Sequence, residues 1–312
     1  MADKELTGAP SMLPLFARAG LSLVPGASRL PFVGGGGGDV PEQALLRTGV
    51  AVDRDRLAAY DRVCGFGLSD TLPSTYPHML AFGMHLALMT GGGFPLPAIG
   101  LVHIANRITV HRPIRATELL SLRVWATPLQ AHPRGRRFDI RTEARVGDEL
   151  VWEEASTNLS RGSGPDGAPT PPPAAPDPPS SDELPAVATW RLPGDLGRRY
   201  GAVSGDVNPI HLHPLSARLF GFPTAIAHGM WTTARCLAAL GPELPAACDV
   251  DVAFKKPILL PATVRFAEGP AASGLGFGVR DAKLGTPHLD GLVSPAAPQG
   301  PTPAPSRSRR RA

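Results

Sequence analysis

Apolar and polar side chains alternate most clearly between residues 138 and 146. Phe138, Ile140, Thr142, Ala144 and Val146 face one way, and Asp139, Arg141, Glu143 and Arg145 the other. That period of two predicts a half-buried antiparallel strand. Two longer apolar stretches have no such alternation. One opens at Pro77-His78-Met79-Leu80 and runs to about Met89; the other opens at Ala227-His228-Gly229-Met230 and runs to about Leu240. Each predicts a long helix buried on most of its faces. A strand follows each helix: Ile104, Ile108 and Val110 lead to Arg112-Pro113-Ile114, while Val250, Val252 and Phe254 lead to Lys256-Pro257-Ile258. Further strands are expected at Thr263 to Phe266 and Gly276 to Val279.

The same order of elements therefore occurs twice, which predicts an α+β chain in which each half wraps a curved antiparallel sheet around one helix. Composition sharpens the boundaries. The chain has 312 residues, with 35 Gly and 36 Pro, more than compact structure needs. The excess collects in two stretches, 161–184 and 294–312, expected to be a linker and a tail that cannot bury enough apolar surface to offset ordering entropy. The expected organisation is an N-terminal extension at 1–45, a first unit at 46–160, the Pro-rich linker, a second unit at 185–293, and the basic Pro-rich tail. The linker is long enough for the two units to dock side by side.

Charge changes the picture little. The formal excess is +4, and Arg307, Arg309, Arg310 and Arg311 of the tail carry as much by themselves, so no nucleic-acid partner is expected. Cys64, Cys236 and Cys248 are odd in number, lack metal-binding spacing and sit among apolar residues, which predicts reduced core cysteines and a cytoplasmic protein. The start MADKEL lacks a basic n-region and an apolar core, so no secretory signal is expected. From Thr71 to Asn106 there is no charged residue, but Pro73, Pro77, Gly91, Gly92, Gly93, Pro95 and Pro97 divide that stretch into pieces too short to span a bilayer. The run Gly34 to Gly38 lacks the strand and helix that would frame a phosphate cradle and reads as a loop.

Chemistry concentrates between Tyr200 and Met230, YGAVSGDVNPIHLHPLSARLFGFPTAIAHGM. Asp206 and His211 stand five residues apart, and Asn208-Pro209 between them reads as a helix start, with Asn as the cap and Pro at the first helical position. The carboxylate then lies in a loop and the imidazole on the turn that follows. His228-Gly229 opens the second apolar helix, where backbone N–H groups are unpaired and a ligand can approach closely.

These residues resemble the signature of the MaoC-like (R)-specific enoyl-CoA hydratases and 3-hydroxyacyl-thioester dehydratases. It is carried by Tyr200, by Ser204-Gly205-Asp206, by Asn208-Pro209-Ile210-His211, by Gly221-Phe222 and by Ile226-Ala227-His228-Gly229-Met230; His213 departs from it, an aspartate being common there. The first half resembles the degenerate unit of two-unit, actinobacterial-type members: CGFGLSDTLPSTYPHMLAFGMHL, from Cys64 to Leu86, keeps Asp70 without the N-P-I-H that should follow. The resemblance implies a double hot-dog fold with a substrate-binding first unit and a catalytic second unit. It further implies a hydro-lyase interconverting trans-2-enoyl and (R)-3-hydroxyacyl thioesters of fatty-acid or related lipid metabolism. Asp206 and His211 would hold the reacting water, with Asp206 as base and His211 orienting the water and sharing in proton delivery. The Gly229 N–H would polarise the thioester carbonyl, Ser204, Gly205, Asn208 and Pro209 would hold the loop, and His228 would support it. No cofactor is implied. The partners are an acyl-CoA or acyl-carrier-protein thioester, and a homodimer is an admissible assembly.

Other readings of the same residues carry less. His211 and His213 point apart on a helix and lack further ligands, so no metal site is expected. Ser204, His211 and Asp206 lack the nucleophile elbow of an esterase. His78, His85 and His103 read as core histidines with satisfied hydrogen bonds. Lys255 and Lys256 read either as a solvated pair or as contacts for coenzyme A phosphates. A non-catalytic acyl-thioester-binding subunit and a hot-dog thioesterase remain as alternatives, distinguished by binding without turnover and by release of free thiol.

Overall fold

The computed structural model describes residues 2–21, 35, 38–162 and 178–296. Most of the glycine run at 34–38, the core of the expected linker at 163–177, and the tail from 297 with its arginines lie outside the described residues.

After the short strand β1 (Ala2–Glu5) and helix α1 (Met12–Leu21), the first unit runs β2 (Gln43–Val50), α2 (Arg54–Cys64), α3 (Tyr76–Met89), β3 (Leu101–Val110), β4 (Leu120–Ala126), β5 (Gln130–His132), β6 (Gly135–Val146) and β7 (Glu149–Arg161). The second runs β8 (Ala186–Leu192), α4 (Leu196–Ser204), α5 (Pro209–Leu212), α6 (Pro214–Arg218), α7 (Gly229–Leu240), β9 (Cys248–Phe254), β10 (Ala262–Ala271), β11 (Gly274–Asp281) and β12 (Pro287–Pro295). The expected helices are α3 and α7, and the expected strands fall in β3, β6, β9, β10 and β11.

One sheet runs through both units in the order β1-β2-β4-β6-β7-β3-β9-β12-β11-β10-β8, with β5 paired to β6. Counted within each unit, the five long strands follow the order first-third-fourth-fifth-second, and the two sets meet head to head at β3 and β9. That antiparallel seam sets Ile108 opposite Val250 and Val110 opposite Cys248. The strands recognised as counterparts in the sequence are thus neighbours across a pseudo-twofold axis.

Alternation and burial agree along β6, where Phe138, Ile140, Thr142 and Ala144 are buried. The helix α3 is buried at nine of its positions, from Tyr76 to Leu88, so its lack of a polar stripe reflects burial on more than one face. The core is continuous between units. The Trp231 indole of α7 donates to the Val63 carbonyl at the end of α2 (3.0 Å), and Arg56 of α2 donates to the Val203 carbonyl of α4 (2.8 Å). Tyr60 of α2 packs on both Tyr76 and Tyr200. All three cysteines are free and buried, and burial pushes the Cys64 thiol up to about 12 and Cys248 to about 11. Among the described residues no helix is long and apolar enough to cross a membrane.

Candidate active site

The loop carrying Asp206 exists because α4 stops abruptly. Gly205 adopts a left-handed φ of 83°, and its N–H returns to the Gly201 carbonyl (2.9 Å). The chain then folds back under its own side chains: the Asp206 N–H donates to Ser204 Oγ (3.1 Å), and the Asn208 N–H donates to Asp206 Oδ1 (3.2 Å). Asn208 caps α5, accepting from the Ile210 N–H, with Pro209 at the helix start as its sequence position predicts. This hairpin of turns sits against α4 only because Gly197 and Gly201 leave room. A Cβ on Gly197 would overlap the His211 carbonyl, and one on Gly201 would stand 2.9 Å from the Asp206 carbonyl oxygen.

His211 is 8% exposed, and its Nδ1–H donates to the Ile226 carbonyl (2.8 Å). That bond fixes the tautomer and leaves Nε2 as an acceptor. Burial pushes the imidazole below its ordinary value, an effect opposed by the Asp206 charge and the Ile226 carbonyl, so the ring is neutral at physiological pH. His228 stacks on it, with ring centroids 3.6 Å apart. The His228 Nε2–H donates to the Asp206 carbonyl (3.0 Å), and Nε2 stands 3.7 Å from the Asp206 carboxylate. Burial pushes His228 down to about 3. Asp206, His211 and His228 each offer an atom within 4.8 Å of the other two. Their chemistry could serve a metal ion, although two of the ring N–H groups are already committed to carbonyls.

Gly229 begins α7, where the first-turn N–H groups have no partner within the helix. The ring of Phe254 fills the space a side chain would take, 2.9 Å from the site of a Cβ. Gly205 and Pro209 shape the loop from behind, while Ser204, Asp206, Asn208, His211, His228, Gly229 and Phe254 line one cavity of about 420 Å³. Lys255 and Lys256 are exposed on its rim, and Lys255 is paired with Asp290 (3.4 Å), whereas Lys256 has no ion-pair partner among the described residues. His213 lies outside the cluster. It caps α6 by accepting the Leu215 N–H (3.1 Å), a task an aspartate performs equally well, which explains why the departure from the signature is tolerated.

The first unit contributes more to this cavity than its sequence suggests. Asp70, its apparent counterpart to Asp206, is on the surface in an ion pair with Arg54 (2.9 Å). His78 and His85 are buried and His103 is half-buried, and all three are hydrogen-bonded as expected, but they are not isolated on apolar faces. His78 pairs with Glu154 (2.7 Å), which also accepts from Asn106 (2.7 Å), while His85 meets Thr142 (2.7 Å) and His103 meets Ser156 (3.0 Å). The three histidines line the cavity, as do Ser156, Asn158, Arg134 and Arg161 of the first unit and Phe16 and Ala19 of α1. His78, His85 and Glu154 form the other group of possible metal ligands among the described residues. A signal was present: His78 stands at the start of α3 as His228 stands before α7, and His78 and His85 are two helical turns apart.

Comparison with known proteins agrees with this architecture. Residues 185–281 match the family described as MaoC like domain. The chain is 38% identical over 256 residues to 3-hydroxyacyl-thioester dehydratase X of Mycobacterium tuberculosis, covering 81% of this chain and 90% of that protein. A crystal structure of that protein, HtdX, superposes with a TM-score of 0.71 at 36% identity, over 81% of this chain and all of the other. A MaoC-like dehydratase from Phytophthora capsici shares the fold at a TM-score of 0.64 and 19% identity, over 82% of this chain and 95% of its own. Two hot-dog units with identical strand order, joined edge to edge and carrying the signature loop in the second, place this chain in the MaoC-like dehydratase family.

Proposed function

We propose that this protein is a hydro-lyase that interconverts trans-2-enoyl thioesters and (R)-3-hydroxyacyl thioesters. The observation that carries the proposal is the convergence, at one cavity, of the Asp206 carboxylate, the unprotonated Nε2 of neutral His211 and the unpaired N–H at Gly229. The relative named 3-hydroxyacyl-thioester dehydratase supports it.

Hydration needs a base for water, a proton for the α-carbon and stabilisation of charge on the thioester oxygen. Donor and acceptor atoms of Asp206 and His211 lie within 4.8 Å, a spacing that one water spans at about 2.8 Å from each. Asp206 takes a proton as that water's oxygen attacks the β-carbon. His211 can only accept from the water through Nε2, so it orients the lone pair toward the substrate. The proton then returns to the α-carbon from the same face. The Gly229 N–H, at the positive end of α7, faces the thioester oxygen as it gains charge. His228 keeps the loop carbonyl of Asp206 in place from below. Dehydration retraces these steps, so the site serves either direction.

Coenzyme A and acyl carrier protein both present a phosphate-bearing thioester arm. Lys256, Arg134 and Arg161 are exposed on the cavity wall and suit its anionic groups. Hydration of a series of trans-2-enoyl thioesters of coenzyme A and of acyl carrier protein, followed by loss of the enoyl absorbance, is the test. Turnover at some chain length is expected. No turnover on either carrier would overturn the assignment, and release of free thiol without loss of the double bond would point to a thioesterase.

A further inference from the structure

The cavity wall supplied by the first unit is more polar than a hydrocarbon chain requires. His78, Ser156 and Asn158 face the cavity and are 7%, 4% and 8% exposed; behind them Glu154 is 2% exposed. Burying a charged pair for stability alone gains little, because apolar side chains of the same volume do as well or better. An alkyl chain lying against such a wall would strip water from these groups and return no hydrogen bond. The wall nevertheless has unused capacity. His78 spends only Nδ1 on Glu154, and Nε2 has no hydrogen-bond partner among the described residues. Burial lowers its affinity for a proton, but Glu154 more than restores it, and the net shift is upward. Glu154 in turn is held down to about 2, its burial outweighed by His78 and the Asn106 hydrogen bond. His103 is pushed down to about 4 by burial and is neutral. The patch thus presents the unpartnered Nε2 of His78, the Ser156 hydroxyl and the Asn158 amide to the cavity.

We propose that this wall of the first unit is a polar subsite for a neutral oxygen substituent, a hydroxyl or a ketone, carried on the acyl chain beyond the β-carbon. The proposal rests on the hydro-lyase reading, in which the acyl chain occupies this cavity. It assigns to the unit without the catalytic motif a choice between oxygenated and plain chains. An anionic chain end gains less, because the carboxylates of Glu154 and Asp206 already stand near His78 and repel it. A site built to hydrogen-bond an oxygen rejects the analogue that lacks it, because its own buried groups are then left unpaired.

The test uses the full chain and matched pairs of trans-2-enoyl-CoA esters, one plain and one with a hydroxyl moved carbon by carbon along the chain beyond the double bond. At least one hydroxylated ester is expected to exceed its plain partner in kcat/KM by about tenfold or more. His78→Phe and Asn158→Leu should each cut that ratio severalfold, with circular dichroism establishing that the variants are folded. Plain esters turned over as well as every hydroxylated one would overturn the subsite, as would a preference that survives both substitutions. If neither kind of ester reacts, the hydro-lyase reading falls. Calorimetric titration with the same pairs as saturated acyl-CoAs then still decides the subsite by the ratio of their Kd values.

Discussion

At the scale of single residues, the two central groups do different work. Asp206 is the only carboxylate in the loop cluster, and in the proposed mechanism it is the group that takes the water's proton. Asp206→Asn keeps the shape and the Asn208 contact but removes the base, so kcat should fall by about a hundredfold to ten-thousandfold with KM little changed. An unchanged kcat would remove the assignment. In the proposed mechanism His211 acts through an unprotonated Nε2, and burial has lowered its pKa from 6.5. Protonation fills the acceptor site, so the limb of kcat/KM due to this group falls with acid and is centred below 6.5. A limb centred at or above that value in a pH–rate profile would contradict the neutral-imidazole role. The proposed role of Gly229 is tested in a different way. In Gly229→Ala the new Cβ meets the Phe254 ring at 2.9 Å, so that ring, which lines the same cavity, must shift. An approximately tenfold to hundredfold loss of kcat is expected from that displacement, read by steady-state kinetics.

At the scale of elements, the site depends on how closely α4 approaches the turn at α5. The Cα of Gly197 is covered by the His211 carbonyl, so this contact sets the depth of the imidazole. Gly197→Ala should push α5 outward, lowering kcat by about a hundredfold while binding of a saturated acyl-CoA, measured by calorimetry, weakens much less. Wild-type kcat in that variant would show that the helix does not set the position of His211. These contacts also mark how far the sequence could be read. Asp206, Asn208, Pro209 and His211 lie within six residues, and local turn chemistry decides their geometry, so the motif and its capped turn were legible. The two central helices and the alternating strands were legible because burial imposes a period on them. Gly197 was not, since its importance arises only when α4 folds back on a turn that begins twelve residues later. Glu154 was hidden for a related reason. It follows Glu153 in a strand, where a charged pair reads as solvent-facing, and its burial depends on pairing of β7 with β3 and β6 and on His78, 76 residues earlier.

At the scale of the whole molecule, both units share one core, and that core holds an unusual number of titratable rings. His85 and His228 are pushed down to about 3 and His103 to about 4, chiefly by burial, and His211 is lowered as well. In the unfolded chain each titrates near its ordinary value of 6.5. Between 6.5 and the folded values the unfolded state therefore binds more protons, and stability must fall as pH falls. His78 has the opposite sign: its raised pKa adds stability below 6.5 that is lost as pH rises through its folded value. Below 6.5 His78 is protonated in both states and adds no slope, so His85, His103 and His228 give an uptake of about three protons on unfolding and a slope of about 4 kcal/mol per pH unit where all are engaged, and His211 acts in the same direction. Glu154 acts lower down, its stabilisation present above 4.5 and lost as pH falls toward about 2. Since whole domains are stable by only about 5–15 kcal/mol, the fold should fail between about pH 4 and 6, before Glu154 is protonated. Urea midpoints measured at half-unit steps from pH 7.5 to 5 should fall steeply below 6.5. A flat midpoint across that range would mean that the buried histidines take up protons in the folded state, and that the cavity wall is open to water.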